Sequence, residues 1–136
     1  MYPDYLVAPM RKELTDVGFE DLNSPEEVEN ALSHDGSVLV VVNSVCGCAA
    51  SNARPAAKVA IQNEKRPDKI VTVFAGVAKE AVEKARSYMQ PYPPSSPAMA
   101  LFKDGKLVHM IERHNIEGKP AQMIADNLVA AFDEYC

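Results

Sequence analysis

Two cysteines, Cys46 and Cys48, stand one residue apart in the segment VLVVVNSVCGCAASNARPAA, directly behind a run of β-branched residues. A disulfide joining them would close almost no chain and so remove almost no entropy from the unfolded state, which makes a structural bridge a poor use of the pair. The small ring between residues i and i+2 must also bend away from relaxed disulfide geometry, and stored strain makes such a bond easy to reduce. The spacing therefore points to thiol–disulfide exchange, in which the pair traps a mixed disulfide, displaces a thiol from Cys46 and hands its oxidation to another reductant. Position supports this. At a strand end and a helix start, unpaired backbone N–H groups and the helix dipole favour a thiolate, so a depressed pKa is expected for Cys46, caused mainly by those N–H groups. Gly47, Ala49 and Ala50 are small and leave the approach to the sulfur open.

Two other readings of the pair are weighed against this one. The thiols could be buried and inert, which their place at a strand end disfavours. They could instead hold zinc or copper, but the remaining candidate ligands, His34, His109, His114 and Cys136, show none of the usual paired spacings. Cys136 is expected to be an exposed, passive thiol, because Asp133, Glu134, the terminal carboxylate and a helix C-terminus all disfavour its ionisation. His109 and His114 read as structural or solvated.

The elements that must position the pair follow from apolar periodicity and caps. In APMRKELTDVGF, Met10, Leu14 and Val17 are at helical spacing, Pro9 suits a first turn and Gly18 a stop. NSPEEVENALSHDG predicts a helix capped by Ser24, with Pro25 at its first position, Glu27 completing a capping box and Val28, Ala31 and Leu32 buried. SVLVVVN and DKIVTVFAG are continuously apolar runs that suit strands covered on both faces. A helix should begin at Cys48 and run through CAASNARPAAKVAIQNE with a kink at Pro55. VAKEAVEKARSYM should be a helix with Val77 and Val82 turned inward, QPYPPSSP is too proline-rich for either element, and AMALFKDGKLVHMIE predicts a hairpin turning at Asp104 and Gly105. An amphipathic helix bearing Ile124, Leu128, Val129 and Phe132 closes the chain. Strands alternating with helices imply parallel pairing with right-handed crossovers, to which the hairpin adds an antiparallel part: an α/β sandwich with a mixed sheet of about four strands.

Composition bounds the function. The 136 residues, 47% of them hydrophobic, suit a single domain over 1–136 that fills its core without disulfides or metals. A net charge of -5 without any Lys/Arg run argues against a nucleic-acid partner. Neither a leader pattern nor a stretch approaching the roughly 20 apolar residues of a membrane span is present, so no membrane association is expected and the chain reads as cytoplasmic. There, closely spaced thiols serve catalysis or metal binding more than bridging.

The strand, the cysteines at the head of a helix with an internal proline, and the later Ser96-Pro97 entering a hairpin resemble the thioredoxin fold, which implies that Pro97 follows a cis bond and lies against the redox pair. More narrowly, VNSVCGCAASNARPA, APMRKELTDVGFEDL, PYPPSSPAMALFKDGKLVHMIERHNIEG and the ending AFDEYC resemble the bacilliredoxin family along nearly the whole chain. That resemblance implies a thiol–disulfide oxidoreductase that reduces mixed disulfides between proteins and bacillithiol, a small thiol carrying glucosamine and malate. No bound cofactor is expected, and bacillithiol is the thiol co-substrate. Bacillithiolated or disulfide-containing proteins and a bacillithiol disulfide reductase are the implied partners. Cys46 would be the nucleophile and Cys48 the resolving thiol, with Gly47, Ser96 and Pro97 meeting the substrate. Members are also candidates for disulfide isomerisation. Unlike thioredoxins, this chain has C-x-C for C-x-x-C, no tryptophan before the pair, and Val40 where thioredoxins carry a buried acid, so solvent or the second thiol must take the proton. Arg54 and Lys58 could attract the malate, but the helical spacing assigns them to a solvated face.

Overall fold

The structure is a computed structural model that describes residues 2–33 and 35–136. Five strands form one mixed sheet in the order β1-β3-β2-β4-β5. They are β1 (Glu20–Asp21), β2 (Ser37–Asn43), β3 (Lys69–Phe74), β4 (Ala98–Lys103) and β5 (Lys106–Ile111). β1, β3 and β2 are parallel neighbours, whereas β4 runs antiparallel to β2 and to β5. The helices are α1 (Asp4–Thr15), α2 (Pro25–Leu32), α3 (Arg54–Ala60), α4 (Lys79–Ser87), α5 (Arg113–Ile116) and α6 (Ala121–Tyr135). Among the described residues, no helix is long and apolar enough to cross a membrane.

The sheet divides the core in two because side chains alternate along a strand. Leu39 and Val41 of β2 and Met99 and Leu101 of β4 pack with Leu14 of α1, Ala57 of α3 and Phe132 of α6. Val38, Val40 and Val42, with Phe102, pack instead with Val28 and Leu32 of α2 and Val82 of α4. All seven residues of β2 are buried, which is why the sequence there is continuously apolar: a strand with helices on both faces has no solvent side to mark with polar residues. Each fully buried Val or Leu contributes about 1.5–3 kcal/mol relative to exposure. The site grows from the C-terminal end of this best-buried strand.

The fifth strand, β1, is only Glu20–Asp21, paired with Val71 and Thr72; two residues cannot display an alternating pattern, so the expected sheet was one strand short. Pro9 does not open α1. The helix starts at Asp4 behind Pro3, with Pro9 inside it, and its first turn carries exposed Tyr5 and Leu6, which gave no apolar stripe. The Ser24 hydroxyl does cap α2 by accepting from the Glu27 N–H. The Glu27 carboxylate, however, accepts from the Asn23 N–H at 3.0 Å and from the Ser24 hydroxyl at 3.2 Å, one residue short of a regular capping box. Val77 precedes α4 and is half-buried. The hairpin turns where expected, with Asp104 at φ 51 and Gly105 at φ 81, and Asp104 Oδ1 accepts from the Gly36 N–H at 2.8 Å, tying the turn to the start of β2.

Candidate active site

Asn43 ends β2 and directs the chain into the cysteines. Its amide nitrogen donates to the Met10 carbonyl of α1, and its Oδ1 accepts from the Ser44 N–H at 2.9 Å and from Arg54 Nη1 at 2.9 Å. Arg54 Nη1 also donates to the Ser44 carbonyl at 2.9 Å, while Nε donates to Glu13 Oε2 at 3.0 Å. The Ser44 hydroxyl in turn accepts from the Cys46 N–H at 3.1 Å. Arg54 is 1% exposed, so it is not the solvated residue expected from helical spacing. It is a buried cation whose planar fork ties α1 to the segment preceding Cys46, and burial of such a charge is tolerable only with partners of this kind. Lys58 is half-buried and does not line the cleft beside Cys46.

The helical segment after the pair is irregular. Ala49–Ala53 form a π-helical turn, and α3 begins at Arg54 with Pro55 in its first turn. The proline therefore sits where its missing N–H costs little, at a junction between helix types rather than inside one helix. Ahead of the turn, the Cys46 carbonyl accepts from the N–H groups of Ala49 and Ala50. Gly47 is exposed, and a side chain built there would meet no atom within 4 Å, so the approach to the sulfurs is open.

Both cysteines are free thiols with their Sγ atoms 2.7 Å apart. Their environments push them in opposite directions. The Cys48 thiol beside Cys46, then the Cys48 backbone N–H, hold the Cys46 thiol below its usual range, with smaller help from Arg113 and the Ala49 N–H. Burial, then the hydrogen bond to Cys46 and its negative charge, push the Cys48 thiol up. The direction for Cys46 is as expected, but the leading cause is the partner thiol and not the helix N-terminus. Val40 is buried in the apolar layer, and among the described residues no carboxylate or imidazole lines the cleft to take a proton.

Ser96-Pro97 is a cis bond, as is Gln90-Pro91. Pro97 immediately precedes Ala98, which pairs with Val42 of β2, so register sets the loop beside the segment leading to Cys46. Ser96 and Cys46 both line an open cleft of about 420 Å³ together with Tyr2, Ser44, Gly76 and Arg113. The Ser96 carbonyl accepts from Arg113 Nη1 at 3.3 Å, and so is already engaged by a side chain. Neither spacing nor composition marks Arg113 in the sequence. Its only local signal is the short capped helix α5, in which the Glu112 N–H donates to Asn115 Oδ1. Arg113 Nε donates to Glu117 Oε2 at 3.2 Å, and Glu117 and the two sulfurs hold the guanidinium firmly protonated.

The other metal-ligand candidates lie elsewhere or outside the described residues. His109 Nε2 is 2.6 Å from Asn127 Oδ1 on α6, His114 faces Glu112 at 3.8 Å, and His34 falls outside the described residues. Cys136 is half-buried against the α6 core rather than exposed. Among the described residues, no group of three or more His, Cys, Asp or Glu side chains is arranged to hold a metal ion.

Comparison with known proteins decides the family. A family model described as "Disulphide isomerase" matches residues 2–136. A bacilliredoxin of Cytophaga hutchinsonii is 56% identical over 98% of this chain and 99% of its own length. The chain belongs to the bacilliredoxin family. Bacilliredoxins of Halalkalibacterium halodurans and Geobacillus kaustophilus are 53% and 52% identical, covering 99% and 100% of this chain and 96% and 93% of their own. The fold is thioredoxin-like: a thioredoxin variant from Halobacterium salinarum superposes with a TM-score of 0.61 at 18% identity over 88% of this chain and 91% of its own. A thioredoxin of Malassezia sympodialis gives 0.60 at 16% identity over 87% and 90%. As a bacilliredoxin, the protein is a thiol–disulfide oxidoreductase with a closely spaced redox cysteine pair.

Proposed function

We propose that the protein removes bacillithiol from proteins that carry it as a mixed disulfide, with Cys46 as nucleophile, Cys48 as resolving thiol, and Gly47, Ser96 and Pro97 at the substrate. The observation that carries the assignment of roles is the opposite perturbation of two adjacent thiols: Cys46, at the cleft, is the better thiolate, and Cys48 is held protonated. The Cys46 thiolate attacks the bacillithiol sulfur, a new disulfide forms between them, and the repaired protein's sulfur leaves as a thiolate that takes its proton from solvent. Cys46 is then neutral. Its charge and its demand for a hydrogen bond, both of which kept Cys48 protonated, are gone, so Cys48 ionises more readily at the step that needs it. Cys48 attacks the Cys46 sulfur and expels bacillithiol as a thiolate, leaving a Cys46–Cys48 disulfide that two external thiol groups reduce in successive exchanges, ending as their own disulfide.

Mass spectrometry of variants mixed with a bacillithiolated protein tests this. Cys48→Ala should accept the small thiol and retain it on Cys46, whereas Cys46→Ala should not remove it. Removal by Cys46→Ala with none by Cys48→Ala would reverse the roles. A second reading, disulfide isomerisation, draws support from the description of the matching family model and uses the same attack by Cys46. It requires affinity for scrambled polypeptide, and turnover of a scrambled substrate without turnover of the small-thiol adduct would favour it.

A further inference from the structure

The chain is acidic, with 19 Asp and Glu against 14 Lys and Arg, yet among the described residues the cleft beside Cys46 is lined by no carboxylate, and Arg113 is the one basic residue that lines it. The guanidinium is held by two contacts, Nε to Glu117 at 3.2 Å and Nη1 to the Ser96 carbonyl at 3.3 Å. The cleft is about 420 Å³, within the size range of small-molecule sites. Tyr2 also lines it. Gly76 has φ +85, and a Cβ there would lie 2.9 Å from Tyr2 Cε2, so the glycine lets the Tyr2 ring pack against the backbone.

Charge in this cleft changes during the proposed reaction. Before attack, Arg113 has the Cys46 thiolate as a neighbouring negative group. Once Cys46 has formed its disulfide with the small thiol, that charge has left with the departing protein, and among the described residues lining the cleft the Arg113 guanidinium, paired on one side with Glu117, is the formal charge that remains. A carboxylate on the small thiol would replace the lost anion, and a guanidinium is suited to take it with paired N–H donors.

We propose that Arg113, in a cleft that Tyr2 also lines, forms a subsite for a carboxylate of the small thiol, so that the protein selects anionic thiol adducts over neutral ones. The inference deepens the function proposed above and rests on Cys46 accepting a small thiol. The probe is one single-cysteine protein loaded as its mixed disulfide with mercaptosuccinate, with 2-mercaptoethanol or with bacillithiol, and the readout is the ratio of kcat/KM between the first two adducts. Arg113→Gln should lower the ratio roughly tenfold, the scale of a lost charge-assisted pair, and Arg113→Lys should restore part of it. Glu117→Gln, which frees the guanidinium from its carboxylate partner, should move the ratio the other way. An equal loss for both adducts in Arg113→Gln would overturn the subsite and leave Arg113 acting on the thiolate alone. If the parent turns over the bacillithiol adduct but the ratio ignores Arg113, the function stands and the subsite falls. If the parent ignores bacillithiol yet sorts mercaptosuccinate from 2-mercaptoethanol through Arg113, the subsite stands and the proposed co-substrate falls.

Discussion

At the scale of single residues, the site depends on two side chains that act on each other more than on their helix. Because the Cys48 thiol is the leading cause of the low Cys46 pKa, Cys48→Ala should raise the midpoint of Cys46 alkylation against pH, and Cys48→Ser, which keeps an O–H donor, should raise it less. The sign follows from ionisation: the parent is already partly thiolate below the usual cysteine value of about 8.5. The variants should therefore react more slowly near neutrality and converge with the parent at high pH. An unchanged midpoint in Cys48→Ala would return the leading role to the helix N-terminus. Arg54 is the second residue-scale case. Arg54→Ala removes donors to Glu13, Asn43 and the Ser44 carbonyl and should cost about 2–4 kcal/mol, read from denaturant midpoints. Arg54→Lys should recover only part, since a point ammonium cannot fork between α1 and the Ser44 segment.

Elements hold the site through their ends. The β4–β5 turn was legible because Asp-Gly tolerates two successive positive φ angles, but its anchor to Gly36 was not, since that bond joins chain segments far apart in sequence. Asp104→Asn should leave the turn nearly intact. Asp104→Ala keeps the positive φ without the acceptor and should lower stability by about 1–2 kcal/mol in thermal or denaturant unfolding; equal stability of the two variants would show that the anchor contributes nothing. The junction before α3 shows the same limit. A proline within helical periodicity predicts a kink, and the sequence offers no sign that a π-helical turn will instead bring Pro55 to a first turn.

The whole molecule is a sheet covered on both faces, and its central strand serves both cores. Leu39 is fully buried on the α1, α3 and α6 face, so Leu39→Ala should cost about 2–5 kcal/mol. Because it lies in the layer beneath the site and not at the sulfurs, activity per folded molecule should hold while the unfolding midpoint falls. A loss of specific activity at full folding would mean that core packing reaches the cysteines directly.

Local chemistry was enough to show the redox pair at a strand end, the Ser24 cap, the buried strands and the hairpin, because each is a pattern within a few residues governed by period, φ or a missing N–H. The family resemblance extended this to the cis Ser96-Pro97 bond and the fold. Tertiary structure decided the rest. Helical spacing names the faces of a helix but not what covers them, so it assigned Arg54 to water when α1 and the end of β2 enclose it. A two-residue edge strand exists only through its partner β3. Arg113 shares a cleft with Cys46 only because β4 and β5 pair alongside β2 and carry α5 to the same end of the sheet. Which thiol is the more acidic was likewise decided by surroundings that spacing in a sequence does not specify: the Cys48 thiol and backbone N–H favour a thiolate at Cys46, and burial disfavours one at Cys48.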